Sequence, residues 1–241
     1  MKKIISRFIF LCLLIVFIGS GFLLFQNVKE KYQFHQLEKQ LENEKPILVD
    51  EEYDFTELLE TNGDTIGWIL ITGTSIDHPI VQASDNSYYL THDFNHAHSN
   101  YGSIFMDYRN SGDFSDCHTI LFGHNMKNGT MFHDLNEYSN QEFWDEHAFI
   151  DVYSPDGYRK WEIFSTYSTE TNFDYLQTEF NSPEDYAVFI NVLLSKSEWS
   201  NDGIQVTVED RILTLSTCSN DSGNSRRVVH AKLVEEALND V

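Results

Sequence analysis

Cysteine is scarce in this sequence. Three cysteines in 241 residues are too few for a fold that depends on a disulfide framework. Cys12 lies in an apolar N-terminal segment, so Cys117 and Cys218 can form at most one internal bridge. Either these two cysteines pair with each other, or at least one stays free as a reactive thiol. The sequence also lacks a C-x-x-C pair and an H-E-x-x-H helix, so it gives no support to a zinc site.

Basic residues are also few. The chain has 16 lysines and arginines against 38 aspartates and glutamates, a formal net charge of −22. After residue 45 the balance is nine basic against 34 acidic residues. Such a surface repels phosphate backbones, which argues against nucleic-acid binding, and it is typical of a well-solvated domain or one that attracts cationic partners. No loop resembles an EF-hand, so we expect no calcium, no other metal and no cofactor.

One long uncharged segment, residues 8–25, follows the basic residues Lys2, Lys3 and Arg7. Its length approaches that of a helix that spans a bilayer. A cleaved signal peptide shares the basic start and the apolar run, but this run exceeds the usual apolar region of about 7 to 15 residues, and no A-x-A-like site follows it. We interpret residues 8–25 as an uncleaved signal anchor. Residues 1–7 are then cytoplasmic and the rest of the chain lies outside the cell.

Beyond the anchor, the sequence predicts two further parts. Residues 26–50 are polar and rich in helix formers, which is typical of a juxtamembrane stalk or helix. Residues 51–241 have the length of one extracellular domain. This domain is predicted to begin with a short helix around Leu58 and Leu59, which ends at the breaker Asn62-Gly63-Asp64.

Short β-rich runs separated by turn residues fill most of this domain. They predict eight or nine strands in an antiparallel barrel or sandwich. The runs are 67–71, 79–82, 103–106, 119–122, 149–153, 158–167, 204–208, 212–217 and 228–234. Two helices are predicted between them, a short one at 128–138 and one from Pro183 to about Ser197. Ser182 is a good cap for the second, which lies in the long connection before Ile204.

Three residues are candidates for covalent chemistry. Cys218 closes the strand at 212–217, and a thiol becomes a useful nucleophile when a nearby base or cation stabilises its thiolate. His124 follows Gly123 at the end of an apolar strand, at a rim where ligands can approach. Arg226 or its neighbour Arg227 could stabilise an oxyanion. Each also has a plain structural interpretation, as a core cysteine, a rim histidine and a surface ion pair.

Several motifs, in order along the chain, resemble those of sortases. Thr214-Leu215-Ser216-Thr217-Cys218 resembles the T-L-x-T-C signature of that family, and Gly123-His124-Asn125-Met126 resembles its histidine motif. Arg226 together with residues 228–232 resembles its final strand. The segments 67–69, 85–90, 92–94 and 102–110 resemble class B sortases in particular. The resemblance covers residues 50–236, and it favours the catalytic interpretation of Cys218 and His124.

The resemblance implies a mainly β fold, a closed sortase-type β-barrel of about eight strands with N-terminal helices and a helix in the long loop before the penultimate strands. It implies that Cys218 is the nucleophile, His124 the general acid/base and Arg226 the cation that stabilises the oxyanion or the substrate. Arg226 is preferred to Arg227 because neighbours on a strand point to opposite faces, so only one of the two reaches Cys218.

The implied reaction is that of a membrane-anchored cysteine transpeptidase. It cleaves a C-terminal sorting signal of surface proteins through a thioester and transfers them to an amine of a cell-wall peptide precursor or a pilin lysine. Class B sortases favour signals of the asparagine-proline-x-threonine type. Two alternatives stay open: an anchored cysteine protease that uses water as acceptor, and a non-catalytic surface binding module. A redox link between Cys117 and Cys218 would switch the enzyme off.

Overall fold

The N-terminal unit of the chain is one continuous helix. The computed structural model describes residues 2–49, 52–170, 175–199, 203–218 and 225–239, and it divides the chain into two compact units, Met1–Asn43 and Glu44–Val241. Helix α1 spans Lys2–Glu44 and is long and apolar enough, by length and composition, to cross a membrane. Its backbone runs through the expected boundary near residue 26 because no glycine or proline follows Gly21 until Pro46.

The second unit begins with a hairpin and a short helix. Strands β1 (Ile47–Val49) and β2 (Glu52–Asp54) pair antiparallel. Helix α2 (Thr56–Thr61) follows, and the carboxylate of Asp54 accepts a hydrogen bond from the amide of Thr56 at its start. The helix ends at Asn62, as the breaker motif predicts.

Eight further strands close into a barrel, which confirms the expected fold. Their order around the barrel is β10-β8-β7-β3-β4-β5-β6-β9. Their bounds are β3 Thr65–Leu70, β4 Asp77–Val81, β5 Ile104–Met106, β6 His118–His124, β7 Phe149–Ser154, β8 Gly157–Glu170, β9 Ile212–Cys218 and β10 Ser225–Leu238. The purely antiparallel arrangement expected from the residues is wrong, since β4 pairs parallel with β5 and β6 pairs parallel with β9. The connections within both pairs are long enough for a crossover.

The predicted strand at 204–208 is wrong. This segment is irregular in the structure. Ile204 and Val206 pack against the apolar cluster formed by the helix Pro183–Lys196 and the barrel. Their alternation therefore reflects burial against a helix and not a place in a sheet. The side chain of Asp210 accepts a hydrogen bond from the amide of Thr207 at 2.7 Å, which turns the chain into β9.

The predicted helix at 128–138 is displaced along the chain. A 3₁₀ helix spans His133–Ser139 and an α-helix, α3, spans Gln141–Glu146. The side chain of Asn140 caps α3 by accepting a hydrogen bond from the amide of Glu142. Asn140, between the two helices, is the capping residue that starts α3 later in the chain than the sequence predicts.

Helix α4 (Pro183–Lys196) lies where the sequence predicts it. Ser182 caps it by accepting a hydrogen bond from the amide of Asp185 at 3.3 Å. Its buried side chains are Tyr186, Phe189, Ile190 and Leu193. They pack on one surface of strands β6, β8, β9 and β10, the α4 face, which carries His118, Tyr167, Ile212 and Val228.

Candidate active site

The three predicted site residues come together at one end of three adjacent strands. Strand β6 ends at His124 and β9 ends at Cys218, and the two residues lie directly opposite each other in the parallel pair. Neighbouring strands are about 4.8 Å apart. Strand β10 pairs with β9 through Val228 and Ser216, and the same register continued by two residues sets Arg226 opposite Cys218. The side chain of Cys218 lies outside the described part of the structure, so its place is known from the backbone register.

The ring of His124 has a defined orientation and protonation pattern. Its Nε2 lies 2.6 Å from the carbonyl oxygen of Leu90. A carbonyl only accepts, so Nε2 carries the hydrogen, and Nδ1 of the neutral ring is an unprotonated acceptor. Nδ1 is buried and has no hydrogen-bond partner among the described residues. The ring therefore presents one basic nitrogen for proton transfer.

Burial sets the charge state of His124. The residue is 6% exposed, and desolvation is the main cause that lowers its pKa below the usual histidine value. The positive charge of Arg226 lowers this pKa further, while the hydrogen bond to Leu90 opposes the shift. The surroundings of His124 therefore favour its neutral form.

The Leu90 carbonyl is held by a compact loop. A 3₁₀ turn spans Tyr88–Leu90, and the hydroxyl of the buried Tyr89 donates to the carboxylate of Asp64 at 2.7 Å. Gly102 lies beneath this turn with φ of +58°. A Cβ at this position would lie 2.4 Å from the backbone carbonyl oxygen of Tyr89. It would lie 3.1 Å from both the carbonyl oxygen of Leu90 and Cδ2 of His124. The positive φ and the close approach of three groups both require glycine here.

The two neighbouring arginines go to different partners. Arg226 donates from Nη1 to the carbonyl oxygen of Thr217 at 3.0 Å, next to Cys218. Arg227 is 9% exposed and forms an ion pair with Glu198, with Nη1 and Oε2 2.7 Å apart. This divergence is the alternation of side chains along a strand. The structure thus places the guanidinium of Arg226, and not that of Arg227, close enough to His124 to lower its pKa.

Cys117 lies at the opposite end of the same ladder. It precedes His118, which pairs with Ile212, whereas Cys218 pairs with His124. Cys117 lies seven residues along the strand from His124, and at about 3.3 Å per residue this separates Cys117 from Cys218 by roughly 23 Å, far beyond the reach of a disulfide. A bridge or redox link between Cys117 and Cys218 within one chain is therefore excluded. Burial, with a smaller contribution from Asp116, raises the pKa of the Cys117 thiol.

Sequence reasoning missed the segment Tyr175–Gln177, which lies next to β9, the strand that ends at Cys218. The hydroxyls of Tyr175 and Ser216 are 2.8 Å apart and buried. Ser216 precedes Cys218 by two residues, so alternation along β9 assigns both to the α4 face. No periodic pattern marks this segment, because its backbone is irregular.

The histidines of the polar loop have structural partners. The ring of His92 stacks on Tyr88 with centroids 4.2 Å apart, and Nδ1 of His96 is 3.2 Å from the Tyr88 hydroxyl. Within the described ranges, no three histidine, cysteine, aspartate or glutamate side chains are grouped so that they could hold a metal ion.

Comparison with known proteins identifies the family of this chain. Residues 69–234 match the family model described as Sortase domain. Sortase B of Listeria monocytogenes is 39% identical over 183 residues, which is 75% of this chain and 74% of that protein. The chain belongs to the sortase family.

Solved structures place this sortase in class B. Sortase B from B. anthracis in complex with AAEK1 superposes with a TM-score of 0.79 at 36% identity, over 86% of this chain and 99% of that one. A Staphylococcus aureus sortase B–substrate complex gives a TM-score of 0.73 at 33% identity, over 87% of this chain and 96% of that one. This sortase is therefore a cysteine transpeptidase of surface proteins, a class of enzyme found at the surface of Gram-positive cells. The family expected from the motifs is confirmed.

Proposed function

We propose that this sortase cleaves a C-terminal sorting signal with Cys218 as nucleophile, His124 as general acid/base and Arg226 as the cation beside the oxyanion. One observation carries the proposal: the β6–β9 register sets Cys218 opposite a histidine whose Nδ1 is unprotonated, oriented and without a hydrogen-bond partner among the described residues. The acceptor in this proposal is an amine of a cell-wall peptide precursor or a pilin lysine.

The first half-reaction forms the thioester. The Cys218 sulfur attacks the carbonyl carbon of the scissile peptide bond while its proton passes to Nδ1 of His124. The tetrahedral oxyanion is stabilised by the guanidinium of Arg226. On collapse the carbon–nitrogen bond breaks, and the leaving amine takes the proton from Nδ1. The products are a thioester on Cys218 and the released C-terminal segment.

The second half-reaction joins the surface protein to its acceptor. The acceptor amine attacks the thioester carbonyl, Nδ1 of His124 takes the amine proton, and the carbon–sulfur bond breaks. That proton returns to the Cys218 thiolate. The ring can keep its orientation in both halves because its hydrogen bond to Leu90 uses Nε2 only. The lowered pKa of His124 keeps Nδ1 ready to receive a proton at neutral pH.

The proposed setting is a membrane. Residues 8–25 of α1 form the anchor, residues 1–7 lie in the cytoplasm, and residues 26–50 connect the anchor to an extracellular catalytic domain, 51–241. The length and composition of α1 and the basic residues before the apolar run support this orientation. Residues 50 and 51, where the last boundary falls, lie outside the described residues. Protease treatment of intact cells should digest the catalytic domain and leave a short N-terminal fragment in the membrane.

A peptide assay tests the chemistry. The full chain, in detergent, is incubated with an asparagine-proline-x-threonine peptide with and without an amine acceptor, and adducts are measured by mass spectrometry. We expect a thioester on Cys218 and a product that carries the acceptor amine. Cys218→Ala should give neither, and Cys117→Ala, the matched cysteine control, should give both.

Two results would contradict the proposal. Cleavage without any amine incorporation would make the enzyme a protease that uses water. Cleavage that persists in Cys218→Ala would remove the nucleophile assignment.

A further inference from the structure

A continuous chain of hydrogen bonds is buried on the α4 face, below the candidate site. The Tyr167 hydroxyl is 3.0 Å from Nε2 of His230, and Nδ1 of His230 is 2.7 Å from the Thr214 hydroxyl. That hydroxyl is 2.6 Å from Nε2 of His118, whose Nδ1 is 2.6 Å from the carbonyl oxygen of Gln177. The chain crosses β8, β10, β9 and β6 in turn. The two histidines and the threonine are completely buried.

Each hydrogen in this chain has one assignment. The carbonyl of Gln177 only accepts, so Nδ1 of His118 donates to it and Nε2 of the neutral ring accepts from Thr214. The Thr214 oxygen then accepts from Nδ1 of His230, and Nε2 of His230 accepts from Tyr167. Burial lowers the pKa of His118 to about 4 and that of His230 well below its usual value, so both rings are neutral. Every hydrogen bond therefore donates in the same direction, from Tyr167 toward the backbone carbonyl of Gln177.

The hydrogen-bond chain ends on a segment that has no partner strand in the sheet. Residues 175–177 are irregular, yet each is tied to the barrel. Gln177 accepts from His118, and the carbonyl of Leu176 accepts from Nη2 of Arg109 at 2.8 Å. The Tyr175 hydroxyl bonds that of Ser216 on the nucleophile strand. Side chains of the barrel thus replace the backbone ladder that would otherwise fix this segment.

We infer that the chain Tyr167–His230–Thr214–His118 is a positioning device, which fixes the segment Tyr175–Gln177 beside β9 and so determines where a peptide can lie when it reaches Cys218. Thr214 is completely buried and lies four residues before Cys218, so it acts through the segment and not on the substrate. The inference rests on the proposed function, since it assumes that substrate is cleaved at Cys218.

Thr214→Val tests the device with little change in shape. It replaces the hydroxyl by a methyl group and leaves Nε2 of His118 without its donor and Nδ1 of His230 without its acceptor. Thr214→Ser is the matched control, because it keeps the hydroxyl and removes the methyl. Three properties of the full-length protein are measured. They are the hydrogen exchange of residues 175–180, KM and kcat with the sorting peptide, and the rate of Cys218 alkylation by iodoacetamide.

We expect Thr214→Val to speed exchange of residues 175–180 about tenfold and to raise KM about tenfold, the factor that corresponds to one lost buried hydrogen bond. We expect kcat and the alkylation rate to stay within about twofold, because the reacting groups do not move. Thr214→Ser should match the wild type in every readout. If Thr214→Val does not fold, Tyr167→Phe removes the first donor of the chain and should give the same pattern.

Several results would overturn the inference. If Thr214→Val shows the same hydrogen exchange and KM as the wild type, the hydrogen-bond chain does not position residues 175–177. An equal defect in Thr214→Ser would assign the effect to methyl packing, and a parallel fall of kcat and alkylation would assign it to a distorted β9. If the wild-type enzyme does not cleave the peptide at all, the proposed function fails, and hydrogen exchange alone decides whether the chain holds the segment.

Discussion

Gly102 offers a sharp test of how His124 is held. Its φ of +58° lies in the left-handed region. A Cβ there would lie 2.4 Å from the backbone carbonyl oxygen of Tyr89 and 3.1 Å from Cδ2 of His124. Gly129 is a matched control, because it has a φ of +84° and its Cβ would meet nothing within 4 Å. Alanine at either position imposes the same kind of backbone strain, whereas only alanine at Gly102 pushes on the turn that holds His124.

The contacts give the expected magnitudes. A left-handed non-glycine residue costs about 1 kcal/mol, so Gly129→Ala should lower the free energy of unfolding by about that amount. Gly102→Ala adds overpacking, which costs about 1–3 kcal/mol more. Relief of the contact with Tyr89 requires a backbone shift of about 1 Å, and a misplacement of that size in an active site lowers rates by about 100-fold. We therefore expect kcat to fall about 100-fold in Gly102→Ala and to stay near the wild-type value in Gly129→Ala.

The assay combines urea unfolding of both variants with kcat for the sorting peptide. It is performed at a temperature where both variants are fully folded. If Gly102→Ala keeps kcat within about threefold of the wild type, the Leu90 turn does not position His124. If Gly129→Ala loses as much activity as Gly102→Ala, the effect is general strain, and the reasoning from the His124 contact is refuted.

Three further predictions concern single residues. Burial lowers the pKa of His78 to about 4, so as pH falls below about 6.5 the unfolded state takes up a proton before the folded state does, and the free energy of unfolding declines toward pH 4. In urea unfolding, His78→Leu should reduce the loss of unfolding free energy between pH 7.5 and 5.0 by about 2 kcal/mol. An unchanged loss would contradict this. Arg226→Lys should lower kcat/KM by about 100-fold, as loss of an oxyanion donor does, and Arg227→Lys should not; the reverse order would exclude Arg226 from the site. Cys117→Ala should leave kcat and sensitivity to oxidation unchanged, since its thiol lies at the other end of the ladder, and a variant that resists oxidative inactivation would disprove this.

Much of the fold was predictable because its signals are local. Alternating apolar residues mark most of the barrel strands, and Ser182 with Pro183 marks the start of α4. The segment 204–208 misled the prediction because Ile204 and Val206 are buried against a helix, which produces the same alternation as a strand. The parallel pairing of β6 with β9 could not be predicted, since strand direction depends on the connection and not on the residues within the strands.

The candidate site was predictable to the extent that side chains carry its chemistry. Cys218 and His124 lie in short motifs that the sequence displays directly. The partner of His124 is the backbone carbonyl of Leu90, which has no residue signature, and Gly102 supports it only because of contacts made across the loop. His118 and Thr214 looked like ordinary strand residues until the fold joined them.

By itself the sequence determined the motifs that carry the candidate reactive groups, the apolar N-terminal segment and most of the barrel strands, because motifs, apolar length and periodicity are properties of adjacent residues. The tertiary structure alone decided that β6 and β9 run side by side in the register that sets His124 opposite Cys218. It also decided that Arg226, and not Arg227, lies close enough to His124 to lower its pKa, and that Cys117 is too far from Cys218 to pair. These outcomes depend on which register buries the barrel core as a whole, a choice made by contacts between distant parts of the chain.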